Sequence, residues 1–244
     1  MKKYNLYENY HSKNKIHKKV IVGDEYTYRN IISILEKYLP KKGRVLDIGS
    51  ATGTMSFFLA SKGLIVDGIE LSTNAVKDAN KNKYLLNVKR VNFKNVTIEN
   101  YENTKKYEVI ICFEVLEHLK KDSIVLSKIY SIMKNNAIFA ISVPSLNAPL
   151  YKLGLLKRFD KNVGHLRRYT ANNLKYLLKD CGFKIIEIKK CEGIVRNIIF
   201  TNKYLGWITK LLYFKLFNNV ATVIDNLTVS LFGESQIIII CKKA

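Results

Sequence analysis

Cysteine is scarce in this chain. Cys112, Cys181, Cys191 and Cys241 form no CxxC pair. That argues against a zinc ribbon, a redox dithiol or a disulfide-stapled fold, and it fits a reducing cytoplasm. No metal site is expected. Long apolar runs are missing too: no stretch reaches the roughly 18 residues of a membrane span. The opening MKKYNLYENYHSKNKIHKK has no apolar core of signal-peptide length. No GxxxxGK[ST] occurs, which excludes a P-loop, and no GxGxxG occurs, which disfavours a nicotinamide enzyme. Acid is short relative to base: 20 Asp and Glu stand against 41 Lys and Arg, a formal charge of +21. Such a balance fits an anionic partner, either nucleic acid or a membrane surface. A bias towards Lys, Asn and Ile, as from an AT-rich genome, explains it equally, and site-specific phosphate readers use more Arg. Nucleic acid is therefore the weaker expectation. A cytoplasmic protein, free or at a membrane periphery, is the stronger one.

What is present is an ordered alternation. The 244 residues, 48% apolar, suffice for one large domain with a substantial core. Residues 1–22 are basic and aromatic, and 24–39 carry Ile31, Ile32, Leu35 and Leu39 at helical spacing before Pro40. Residues 1–40 thus read as an N-terminal helical or lid segment ahead of a domain over 41–244. Strands are expected at 44–48, 64–69, 107–112, 137–142, 183–188 and 236–241, with one more inside 91–98. Helices are expected at 53–61, 73–83, 120–133 and 171–180, with Thr170 placed to cap the last. An apolar insertion at about 194–232 holds two helical stretches, 206–217 and 218–232. The IIII run at 237–240 reads as a late strand, antiparallel to the last parallel one. The pattern predicts an α/β, Rossmann-like, seven-stranded sheet, mostly parallel with one antiparallel strand and helices on both faces.

The segment VLDIGSATGTMSFFLA, 45–60, joins an apolar strand to a helix through a glycine turn. Asp47 ends the strand, and Gly49, Ala51 and Gly53 follow at alternate positions. Such a turn lets backbone approach a ligand closely at a helix N-terminus. Glu70 ends the next apolar run, 21 residues after Gly49, where a carboxylate can accept both hydroxyls of an adenosine ribose.

These residues resemble the class I S-adenosylmethionine-dependent methyltransferases, in particular the small-molecule type that includes the ubiquinone-pathway O-methyltransferases. VIICFEVLEHLKK, 109–121, matches their strand-four signature through Val115, Leu116, Glu117, His118 and Leu119. VGHLRRYTANNLKYLLKDCGFKII, 163–186, is similar as well. The resemblance covers 43 to about 188. It implies S-adenosyl-L-methionine as donor and S-adenosyl-L-homocysteine as product. Gly49 and Ala51 would line the cofactor, Asp47 would organise the loop with Gly53, and Glu70 would grip the ribose. The adenine contact stays open among Glu99, Asn100 and Glu102. Many amino-methylating nucleic-acid enzymes of this kind carry [ND]PP[YF], where this chain reads FEVL.

Methyl transfer needs no covalent protein nucleophile, only binding, alignment and, for some acceptors, a base. Phe113 and Glu114 leave strand four where open α/β sheets bind ligands. Phe113 could pack beside the sulfur or serve the core. Glu114 could orient an acceptor hydroxyl or amine, or be a solvated acid. His118 is a candidate base by its near-neutral pKa, or a loop anchor. His165, beside Arg167 and Arg168, could meet an acidic acceptor or pin its loop. The apolar aromatic run 205–217, with Lys210 and Lys215, could lie on a membrane, pack as a lid or meet a partner subunit as in a homodimer. The acceptor expected is a small molecule, hydrophobic or acidic. The competing reading is a noncatalytic docking module that keeps the fold.

Overall fold

The computed structural model describes residues 8, 16–102, 104–202, 205, 212 and 214–243. Seven strands are formed: β1 Arg44–Ile48, β2 Ile65–Glu70, β3 Val91–Asn95, β4 Tyr107–Phe113, β5 Met133–Pro144, β6 Phe183–Cys191 and β7 Gln236–Lys243. The described helices are α1 Arg29–Leu35, α2 Thr54–Ser61, α3 Thr73–Leu85, α4 Asp122–Ser131, α5 Pro149–Lys152, α6 Lys157–Val163, α7 Ala171–Asp180, α8 Ile194–Thr201 and α9 Lys215–Phe232. The strands make one sheet, ordered β3-β2-β1-β4-β5-β7-β6. All pairs from β3 through β5 are parallel, while β7 runs antiparallel to both β5 and β6.

Strand periodicity divides the core in two. Leu46, Ile110, Cys112, Ile237 and Ile239 face one side, where α4 and α7 pack through Leu126 and Leu174. Val45, Val109, Ile111, Ile238 and Ile240 face the other, against α1 and α2 through Ile32 and Phe58. An unbroken isoleucine run is what a strand buried on both faces requires. It explains why β7 lies inside the sheet and leaves β6 at the edge. There Lys184 and Lys190 are exposed, and edge lysines discourage pairing with another chain.

Local signals set several boundaries. Ser72 caps α3 by accepting from Ala75 N at 3.1 Å, and Thr170 caps α7 by accepting from Asn173 N at 3.1 Å. Other boundaries depart from expectation. The helix expected over 24–39 is only α1 followed by a 3₁₀ turn, Glu36–Tyr38. Tyr26 is instead buried under the Arg196 guanidinium, 3.6 Å from its ring centre, a tertiary contact that fixes the preceding turns. The helix expected over 120–133 is shorter, and β5 begins at Met133 rather than 137. Asn136, at φ 59°, is absorbed into that strand where its register with β4 shifts. Of the helix expected over 206–217, residues 206–211 and 213 lie outside the described residues, and 215–217 form the start of α9. The one over 218–232 is present as most of α9. No helix among the described residues is long and apolar enough to cross a membrane.

Candidate active site

The strand order reverses about β1, whose neighbours β2 and β4 lead away in opposite directions. Loops leaving the carboxyl ends of β1 and β4 therefore diverge and open a crevice. A cavity of about 1080 Å³ lies there, bordered by Asp47, Gly49, Ala51, Glu70, Phe113 and Glu114. Eight of the nine residues expected to bind or react are gathered in one place. His118 and His165 line the same cavity, and Gly53 stands just behind as the N-cap of α2.

The glycine turn is built by close packing. Gly49 has φ 75°, and a Cβ there would stand 2.3 Å from Val115 Cγ2. Gly53 has φ 91°, and its Cβ would meet Phe57 and Phe93 at 2.7 Å. Both positions need left-handed backbone and no side chain. Ala51 is left-handed as well, at φ 45°. Its N–H donates to Glu70 Oε2 at 3.0 Å, while Ser72 N–H donates to Oε1 at 2.9 Å. Each carboxylate oxygen of Glu70 is thereby oriented by a backbone donor. Burial raises the pKa of Glu70, and these backbone donors oppose the rise. Asp47 accepts from Ser56 Oγ at 2.6 Å. Burial, opposed by that hydroxyl and reinforced by the charge of Glu70, lifts its pKa to about 7.

A model of the methyltransferase domain matches residues 23–188. The chain belongs to the methyltransferase domain family. Among curated relatives, the ubiquinone biosynthesis O-methyltransferase of Rickettsia typhi is 29% identical over 162 residues, which span 64% of this chain and 65% of that enzyme. The Rickettsia canadensis enzyme of the same name is 28% identical over 196 residues, 77% of this chain and 78% of the relative. Among solved structures, phosphoethanolamine N-methyltransferase 2 of Haemonchus contortus, in complex with S-adenosyl-L-methionine, superposes with a TM-score of 0.64 at 20% identity. It covers 88% of this chain, which spans only 52% of that protein. The 1,6-didemethyltoxoflavin-N1-methyltransferase of Burkholderia thailandensis, with bound S-adenosylhomocysteine, gives 0.59 at 16% identity, covering 91% of this chain and 80% of its own. The fold is that of the class I methyltransferases, whose methyl donor is S-adenosyl-L-methionine. The glycine turn and the backbone-held Glu70 of this chain fit that donor.

At the same cavity, this methyltransferase holds Glu114 at φ 55°. Ser142 Oγ and Gln236 Nε2 both donate to its Oε1, at 2.8 and 3.1 Å. The side chain is tethered through one oxygen and stays exposed where it borders the cavity, so both the orienting and the solvated-acid readings stand. His118 Nδ1–H donates to the Gly164 carbonyl at 3.0 Å. His165 Nδ1 meets Asp160 Oδ1 at 3.0 Å. Arg168 binds the same Asp160 through Nε and Nη2 at 2.9 and 2.6 Å, and Arg167 pairs with Asp122 at 2.6 Å. The GHLRRYT segment is pinned by these bonds, and its two arginines are already neutralised.

Several residues escaped the sequence reading. Glu117 is fully buried between the two histidines, each Nε2 at 3.7 Å from its Oε1. Among the described residues neither carboxylate oxygen has a hydrogen-bond partner, and burial with repulsion from Glu114 pushes its pKa well up. Ligand atoms of Glu117, His118 and His165 lie within 4.8 Å of one another. Two imidazoles and a carboxylate are a donor set that could hold a divalent cation. His165 is 47 residues from His118, so no spacing rule reveals this group. Glu192, at φ 63°, also borders the cavity, and burial raises its pKa to about 8. His17 enters from the N-terminal side, with Nε2 3.0 Å from Thr52 Oγ1. Glu8 reaches the start of α3, accepting from Thr73 N at 2.6 Å. Of the three residues weighed for the adenine, Glu99 and Asn100 border the cavity.

Proposed function

We propose that this chain transfers the methyl group of S-adenosyl-L-methionine to an oxygen of a small, largely apolar acceptor, leaving S-adenosyl-L-homocysteine. The observation that carries the reading is the continuity of one cavity from the glycine turn to Glu114 and the histidines. The donor supplies an electrophilic methyl on a sulfonium. Gly49 and Ala51 would offer backbone to its methionine portion, with Gly53 shaping the turn behind them, and Glu70 would accept the ribose hydroxyls. Asp47 would hold the turn and add negative charge near a cationic donor. Phe113, half-buried at the cavity wall, would exclude water beside the sulfur. Glu99 or Asn100 would meet the adenine.

Among Glu114, His118 and His165, the first is best placed to take a hydroxyl proton. It is a carboxylate held rigid on one oxygen, with the other available to an acceptor. His118 and His165 are engaged at Nδ1, which supports a positioning role. Ile31, Phe159 and Phe200 border the acceptor end and suit an apolar body. The pairing of Arg167 and Arg168 takes support away from an acidic acceptor. Oxygen is favoured by the relatives, which are named as O-methyltransferases. Glu114 and Glu192 on one wall also suit an amine, which is the second reading. Residues 1–40 would form a lid, with Glu8 and His17 as its contacts to the donor end, and the insertion at about 194–232 would frame the acceptor. Four free cysteines fit a cytoplasmic setting.

The test is calorimetric titration with S-adenosylhomocysteine, with NAD as control, followed by a screen of phenols and amines using the radiolabelled donor. Selective binding and a labelled phenol support the reading, and a labelled amine supports the second one. Glu114→Gln should then leave binding intact and lower kcat about 10²–10⁴-fold. Binding of neither ligand would overturn the assignment in favour of a docking module.

A further inference from the structure

Helix α9 is amphipathic in the wrong sense for a water-facing helix. Leu216, Val220, Val223, Leu227 and Leu231 follow one another at three- and four-residue steps along one face, and each is 51–74% exposed. The opposite face is polar and buried. Asp225, fully buried, accepts from Gly193 N and Arg196 N at 3.0 and 2.9 Å and pairs with Arg196 Nε at 3.2 Å. Thr228 Oγ1 accepts from Ile194 N at 3.1 Å, and Asn218 Nδ2 donates to the Asp24 carbonyl at 2.6 Å. These bonds dock α9 on α8 by its polar side and leave an apolar stripe outward. Scattered exposed leucines are ordinary, whereas a continuous stripe with no polar interruption marks a contact surface.

We infer that this stripe lies on an anionic lipid surface, with α9 in the plane of the interface. Charge selects the occupant. Over residues 216–232 the only ionisable side chain is Asp225, which is buried and paired, so nothing charged opposes insertion of the stripe. Cations stand at both ends. Arg29 Nη1 donates to Asn219 Oδ1 at 2.8 Å, and Lys152 Nζ donates to the Phe232 carbonyl at 3.4 Å. Beyond Lys152, exposed Leu153 and Leu155 extend the apolar surface, followed by exposed Lys157 and Arg158. A basic rim around an apolar stripe is the pattern of an interfacial helix. A second copy is disfavoured, since each chain carries +21 and the two rims would repel.

A path from the lipid face to the cavity would run over α8. α8 packs on α9, and its Phe200 borders the cavity while being 37% exposed. An apolar acceptor would pass from lipid along α8 to Glu114. This route rests on the proposed methyl transfer, whereas the lipid contact does not.

The experiment is co-sedimentation of the full chain with phosphatidylcholine vesicles, with and without phosphatidylglycerol. S-adenosylhomocysteine binding is read separately by calorimetry, so failure of one reading leaves the other standing. The wild type should bind the anionic vesicles, and Val223→Gln/Leu227→Gln/Leu231→Gln should bind them about tenfold less or weaker still, with ligand binding unchanged. The single variants Leu227→Asp and Leu231→Asp give the same readout should the triple variant misfold. Absence of binding by the wild type, or equal binding by folded variants, overturns the inference. So does a lipid-free dimer in sedimentation that the Leu227→Asp change dissociates, since the stripe would then belong to a second copy.

Discussion

Glu70 and Asp47 are two buried carboxyls with different tasks. Glu70 has its oxygens oriented by the N–H groups of Ala51 and Ser72, so its loss removes a preorganised acceptor. Glu70→Ala should weaken S-adenosylhomocysteine binding by about 1–3 kcal/mol, measured by calorimetry, and unchanged affinity in a folded variant would sink the ribose role. Asp47 adds a pH dependence at the donor end. Its folded pKa of about 7 exceeds the ordinary 3.8, so the native state retains a proton that the unfolded chain has released. The contribution of this group to stability is therefore greatest below about pH 4 and is lost as pH rises towards 7. A cationic ligand beside it reverses that loss. The gain in Tm on adding S-adenosyl-L-methionine should grow between pH 5 and 7.5, as thermal melts across that window will register. A gain flat with pH would place the ligand's charge away from Asp47.

At the scale of elements, the site depends on two turns meeting. The turn after β1 and the segment after β4 touch where Gly49 lies under Val115. Gly49→Ala brings a 2.3 Å clash and left-handed strain of about 1–3 kcal/mol. The variant should melt earlier and bind S-adenosylhomocysteine poorly. Adding Val115→Ala should recover part of the melting temperature, because it removes the clash and leaves the strained φ. Full recovery would show that packing alone demands the glycine. The cap at Thr170 and the isoleucine run of β7 follow from adjacent residues and were readable from sequence. The start of β5 and the short α1 were not. A strand pairing shifts the first, and the burial of Tyr26 beneath Arg196 fixes the turns before the second.

For the whole molecule, charge and shape act together. A chain at +21 repels its copies and is drawn to anionic surfaces over a Debye length, about 8 Å at physiological ionic strength. Capture by anionic vesicles should accordingly fall as salt is added, while a residual apolar part due to α9 persists. Sequence by itself determined the α/β alternation, the antiparallel last strand and the residues of the glycine turn. Those features are encoded by apolar periodicity and by backbone demands that act over a few neighbours. Only the tertiary structure decided that Arg167 and Arg168 are neutralised by Asp122 and Asp160. It alone brought His165 to Glu117 and His118, set Glu192 at the cavity and turned the apolar side of α9 outward. Each of these depends on which distant residues share a low-dielectric interior, and neither period nor spacing along the chain carries that information.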